Sequence, residues 1–249
     1  MSFTSLLGLF FLLSFVILMG LFSWISRNKK DFPFRSIPAF TNLRRAIRLS
    51  VEAGKRIHIS LGRGGASGQE SASAFLGLSV LERIVKVASI SDNPPIATSG
   101  DSTITVLGQD TIKGIYQVMG IRSQVNLPSS QLTGISPFSY AAGTLPILFD
   151  EQVSTNILLG HFGSEVALIT DAAERNGALT LAGSDQVQAQ AVLYAAAQEP
   201  LIGEEFFAAS AYLHAGAMHS ASLRVQDVAR WVLAVSILLG AFLKILGVI

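Results

Sequence analysis

The chain has 249 residues, with 18 Lys plus Arg, 17 Asp plus Glu and no Cys. It is 50% hydrophobic and 14% charged, with a mean hydropathy of +0.49, against about 25% charge in ordinary soluble domains, and it is far too apolar for a disordered chain. The lack of Cys excludes a disulfide framework, a thiolate zinc site, an iron–sulfur cluster and a cysteine nucleophile, and a formal charge of +1 taken whole points to neither nucleic acid nor an acidic partner.

Residues 3–25 contain no charge. At 1.5 Å per residue they extend ~34 Å, enough to cross a hydrocarbon core of ~30 Å with some tilt. A signal peptide would need a basic leader and a small-residue cleavage site. No Lys or Arg precedes the stretch and no Ala-x-Ala follows Met19, so an uncleaved anchor is expected. Residues 231–249 form a second apolar stretch of ~28 Å, with Lys244 near its end, where it can snorkel. Trp24 and Trp231 stand where each span would meet the interface. The sequence thus divides into a span (3–25), a basic linker (26–40), an α/β domain (41–230) and a second span (231–249). Arg27, Lys29, Lys30 and Arg35 follow the first span, and Arg224 and Arg230 precede the second. The positive-inside rule then places the domain in the cytoplasm.

The near-zero charge conceals two blocks. Residues 27–63 carry ten basic residues against Asp31 and Glu52, a net +8, and residues 64–249 carry −7. Arg27, Lys29, Lys30, Arg35, Arg44, Arg45 and Arg48 are expected to face the membrane, where anionic lipid attracts each charge by about 1 kcal/mol. The rival reading pairs this block with the acidic remainder of the domain. No nucleic-acid motif accompanies it.

In chain order, residues 41–54 read as a helix, with Leu43, Ile47 and Val51 on one side, Thr41 as N-cap and Gly54 as stop. Residues 57–61 (IHISL) form a strand ending in Gly62-Arg63-Gly64-Gly65, and a helical pattern runs over 69–90. A second strand over 95–98 precedes Ser99-Gly100-Asp101, and residues 102–119 read as helix. The apolar run 138–149 is too short to cross a membrane. A third strand (155–159) ends in Gly160-His161-Phe162-Gly163, followed by a helix over 164–176. A fourth (178–182) ends in Gly183-Ser184-Asp185 and leads into an Ala-rich helix that Pro200 breaks, after which residues 201–212 resume it. This alternation predicts a small parallel sheet in a three-layer α/β domain of the Rossmann-like or flavodoxin-like kind.

Four Gly-rich loops therefore fall at carboxyl ends of strands, the edge where open α/β sheets bind ligands. Arg63, Gly64, Gly100, Asp101, His161, Ser184 and Asp185 are the candidate ligand-binding residues, Arg63 as a counter-charge for phosphate. The bland alternative is that these residues are turn formers and caps, with Asp101, Asp185 and Ser164 at helix starts. The loops fit neither G-x-G-x-x-G nor a Walker A motif. Gly100-Asp101-Ser102 resembles the nucleophile block of SGNH-class esterases, but no Asp-x-x-His follows near the C-terminus, and no G-x-S-x-G elbow exists. His214 and His219 lie five apart, the wrong spacing for a helical metal pair, so no metal site is expected. His58 reads as a buried structural histidine, and Glu199, Glu204 and Glu205 as charges at a helix start.

The runs AIRLSVEAGKRIHISLGRGG, SPFSYAAGTLP, LAGSDQVQAQAVLYAAAQEPLIGEE and LRVQDVARW resemble a bacterial membrane-protein family catalogued as domain of unknown function 6754. The likeness runs from about residue 38 to the final apolar helix. It implies the layout of anchor, α/β domain and C-terminal helix in a bacterial inner membrane, and it transfers no catalytic residue. With no complete catalytic set and no cofactor motif, the expected function is a scaffold or subunit. Its Ala-rich segments (189–197, 206–212) would self-associate or dock in a larger membrane complex. The alternative is a tethered sensor or enzyme that binds a nucleotide or phosphorylated metabolite at the strand-end loops.

Overall fold

The computed structural model describes residues 3–28, 35–89, 91, 93–121 and 130–246. By contact pattern it divides into a helical unit (1–35 and 216–249) and an α/β unit (36–215).

The helical unit consists of α1 (Phe3–Asn28) and α9 (Ala217–Ile245), which pack against each other. Both are long and apolar enough to cross a membrane, with hydrophobic windows over Gly8–Ile25 and Met218–Ile245. The apolar stretch from Trp231 is not a separate element, because residues 217–230 belong to the same continuous helix. Lys29 and Lys30 lie outside the described residues.

In the α/β unit the elements run α2 (Pro38–Glu52), β1 (Arg56–Gly62), α3 (Ser71–Ala88), β2 (Ile96–Ser99), α4 (Ser102–Val118), β3 (Ser130–Leu132), α5 (Pro137–Asp150), β4 (Val153–His161), α6 (Val166–Arg175), β5 (Leu179–Ser184), α7 (Val187–Ala196), β6 (Glu199–Leu201) and α8 (Glu204–Tyr212). All six strands are parallel, in the order β3-β2-β1-β4-β5-β6. The chain winds outward from β1 through β2 to β3, returns through α5, and winds outward again from β4. This is the doubly wound order, with its switch point between β1 and β4.

Strand alternation sorts the core into two layers. Ile57, Ile59 and Leu61 of β1, with Ile157, Leu159 and Leu181, pack under α2, α3, α4 and α8. Leu158 and Ala182 face the other way, under α5, α6 and α7. Helices on both faces complete the three-layer arrangement, as the right-handed crossover of parallel strands requires.

Several element limits differ from the sequence expectation. α2 begins at Pro38, three residues before Thr41, because proline at the first helical turn presets φ and lacks only an N–H that the helix does not use. Gly54 does end it, at φ +63°, with the Lys55 N–H donating to the Ser50 carbonyl at 2.9 Å. The apolar run after Ser136 is α5, started by a capping box between Ser136 and Ser139. Pro200 does not merely break a helix. It lies in β6 at the sheet edge, where its missing N–H costs no ladder bond.

One polar chain crosses the sheet on the α5 face. Tyr140 of α5 reaches Ser60 and, at 3.3 Å, Thr98. Thr98 lies 2.9 Å from His58 Nε2, and His58 Nδ1 lies 2.7 Å from Asn156 Oδ1. Asn156 Nδ2 donates to Thr180 at 3.4 Å. With the amide so oriented, the His58 Nδ1–H donates to Asn156 and Nε2 accepts from the Thr98 hydroxyl, a neutral imidazole. Burial pushes the His58 pKa from 6.5 down to about 4, against the opposing hydrogen bond to Asn156.

Candidate functional site

β1 ends at Gly62 with φ +74°, and a Cβ there would lie 2.6 Å from the His161 carbonyl oxygen. Only glycine permits this turn and this approach together. It lets the loop after β1 cross the end of β4, where the Arg63 N–H donates to that carbonyl at 2.9 Å. Gly64 is packed as tightly. A Cβ would meet His161 Cβ at 3.0 Å and the Glu70 carbonyl at 3.1 Å, so its bareness lets Glu70 come over the imidazole.

His161, the last residue of β4, is the centre of the arrangement. Its Nδ1 lies 2.9 Å from Asp185 Oδ1 in the loop after β5. Its Nε2 lies 2.9 Å from Gln186 Nε2 and 3.2 Å from Glu70 Oε1. The His161 side chain is 11% exposed, that of Asp185 19% and that of Glu70 47%. These groups line an open cleft of about 530 Å³ with residues 67–69 of the loop before α3. It opens at the carboxyl ends of β1, β4 and β5, beside the switch point.

Of the seven residues singled out in the sequence, His161 and Asp185 stand together in the cleft, and the other five hold the edge in shape. Arg63 Nε donates to Glu165 Oε1 at 2.8 Å, so its charge is already matched. Burial opposes ionisation of Glu165. The Gly163 N–H, the Arg63 guanidinium and Glu165's own amide outweigh it and hold the carboxyl below the usual carboxylate range. Gly100 packs on Arg63, where a Cβ would lie 2.6 Å from Arg63 Cγ. Asp101 caps α4, its Oδ1 accepting from the Ile104 N–H at 2.9 Å. Ser184 is buried and its Oγ accepts from the Phe162 N–H at 3.2 Å and the Gln186 N–H at 3.3 Å. Asp185, in contrast, makes no α7 cap, because its carboxylate is turned to His161.

Glu70, Gln186 and Glu165 were not anticipated. Glu70 and Glu165 each sit directly before a helix, where an acidic residue reads as dipole compensation.

Arg45 and Arg48 are exposed on the outer side of α2, opposite its buried Leu43 and Ile47. Arg44 instead donates from Nη2 to the Tyr212 carbonyl and faces His214 Nε2 at 3.3 Å. Arg35 is exposed before α2, and Arg27 lies in the last turn of α1. Glu204 and Glu205 occupy the first turn of α8. Among the described residues, no group of three His, Asp or Glu is placed to hold a metal ion.

No curated protein and no solved structure matches the chain. The family model described as "Domain of unknown function (DUF6754)" matches residues 2–249, essentially the whole sequence, and the chain belongs to that family.

Proposed function

We propose that this is a doubly anchored membrane protein whose α/β unit binds a small polar ligand in the cleft beside the β1/β4 switch point. The observation that carries the reading is a coincidence of place. The strand order dictates one preferred crevice, and there a carboxylate-held imidazole lines an open cleft. Its volume of about 530 Å³ falls within the usual range for small-molecule sites. Two terminal helices with spanning length and hydropathy support the anchoring. The basic residues beside their uncharged stretches, Arg27 to Arg35 and Arg224 with Arg230, support a cytoplasmic orientation by the positive-inside rule.

A docking scaffold built on the Ala-rich segments is the second reading. Ala189, Leu193, Phe206, Ala208, Ala209 and Ala211 are buried within the α/β unit, and Ala191, Tyr194, Ala195 and Phe207 are exposed and support a docking face.

The test is a thermal-shift screen of the full chain in detergent against nucleotides, sugar phosphates, amines and polyols. A ligand at a hundredfold excess over its Kd stabilises by about 2.7 kcal/mol, a Tm rise of roughly 5–10 °C for a protein of this size. The rise should vanish in Ser67→Trp, which fills the cleft from an exposed position. A screen in which no class of compound shifts the wild type would sink the reading. For orientation, a single Cys placed at exposed Asn42 should resist a membrane-impermeant maleimide in intact cells and react after lysis.

A further inference from the structure

Among the described residues, none that lines the cleft is a Lys or Arg. Nε2 of His161 has two neighbours within bonding reach that make opposite demands: the Gln186 amide nitrogen donates, and the Glu70 carboxylate only accepts. A neutral imidazole whose Nδ1–H donates to Asp185 presents a lone pair at Nε2. That lone pair suits Gln186 and leaves Glu70 facing it with no proton between them. On the other side, Asp185 spends Oδ1 on His161 and keeps Oδ2 for the cleft. The other charges beside the imidazole do not restore the balance. Arg63 reaches the His161 backbone but gives its guanidinium to Glu165, whose side chain is 2% exposed. Two carboxylates therefore converge on the cleft, and no Lys or Arg is among the described residues that line it.

We propose that the cleft takes an organic cation, a primary ammonium or guanidinium with further hydrogen-bonding groups, seated on Glu70 and Asp185 beside His161 and Gln186. The proposal rests on the ligand-binding reading above and replaces the phosphorylated ligand expected from the loops. A phosphate brought against two carboxylates meets like-charge repulsion, and the Arg63 guanidinium that would offset it is already paired. The roomy cleft also suits an organic ion better than a bare metal, for which the described residues offer no three-ligand group.

The test uses the full chain in detergent with three sets of probes: agmatine and putrescine, AMP and inorganic phosphate, and ribose as the uncharged control. An amine should raise Tm and bind by calorimetry. Glu70→Gln and Asp185→Asn should each weaken it at least tenfold without lowering the Tm of the unliganded protein by more than a few degrees. Binding of AMP, phosphate or ribose in place of the amines would overturn the ligand class while leaving the cleft reading standing. Amine binding that Glu70→Gln leaves unchanged would overturn it as well. Silence from all three sets would remove both proposals.

Discussion

His58 and His161 lie on neighbouring strands, and each places Nδ1 against a side-chain oxygen, but they obey opposite rules. His58 sits in mid-sheet with 0% exposure, its partners the neutral Asn156 and Thr98. Nothing there can stabilise a charge, so burial keeps the ring neutral and its role is to complete a chain of hydrogen bonds. His161 sits where β4 runs out of neighbours, partly open to the cleft, with a carboxylate on either side. The same side chain becomes mortar in the interior and a cleft-lining group between two carboxylates at the edge. The difference lies in partner charge and access, not in the residue.

The largest effect should come from the sealed histidine. His58→Leu leaves the Asn156 carbonyl oxygen and the Thr98 hydroxyl buried without their partner, at about 1–3 kcal/mol each. A total loss of about 3–5 kcal/mol is expected, read as a large fall in Tm or failure to accumulate. His161→Leu should cost under about 1 kcal/mol, because water can reach Asp185 and Glu70. Equal losses from the two would end the comparison.

The same contrast sets an acid limit. With the His58 pKa at about 4 folded against 6.5 ordinarily, the unfolded chain binds a proton between those values and the folded chain does not. Stability is therefore full above 6.5 and falls as pH drops through that window, by about 3 kcal/mol at its lower end. Tm measured between pH 7.5 and 4.5 should drop accordingly. His58→Gln, less stable at neutral pH, should show a shallower slope. An unchanged slope would assign the acid sensitivity elsewhere.

What the sequence revealed depends on how far apart the interacting residues are. The long helices and the strands rich in Ile and Leu, such as residues 57–61 and 155–159, announce themselves through local pattern. β3 and β6 have three residues each, too few for periodicity, and β6 contains a proline that locally argues against a strand. Their place comes from β2 and β5 beside them. The site divides the same way. His161 and Asp185 stand out through their Gly-flanked loops, but Glu165 matters only because it meets Arg63 from 102 residues away. Before that pairing is visible, Arg63 looks like a free counter-charge. Glu70 is hidden likewise, because its meaning comes from Gly64 letting the loop close over His161.

That pairing offers a sharper test of the edge. Glu165→Gln keeps an acceptor for the Gly163 N–H and strips the charge that holds Arg63. A cost of about 2 kcal/mol is expected, at the low end for a broken buried pair, because Arg63 is 20% exposed and its charge reaches water. The folded carboxyl is held below its usual range, so its contribution is present at neutral pH and lost as pH falls through that lowered value. The variant should accordingly lose less stability on acidification. It should also bind phosphate better than the wild type by calorimetry, since the guanidinium of Arg63, whose backbone meets His161, is then unmatched. No gain in anion binding would show that Arg63 does not reach the ligand space.

The smallest effect separates a cap from a ligand contact. Asp101 ends its reach at the Ile104 N–H, one strand over from the switch point, and an N-cap removed costs about 1 kcal/mol. Asp101→Ala should lower Tm by roughly 2–4 °C, and Asp101→Asn, which keeps a capping oxygen, should recover most of it. Neither should alter amine affinity, because charge at the end of β2 plays no part in balancing Glu70 and Asp185. If Asp101→Asn preserves Tm but lowers affinity severalfold, the carboxylate itself contacts the ligand. The site would then extend across β1 to β2, and Asp101 would join His161 on the chemical side of the division.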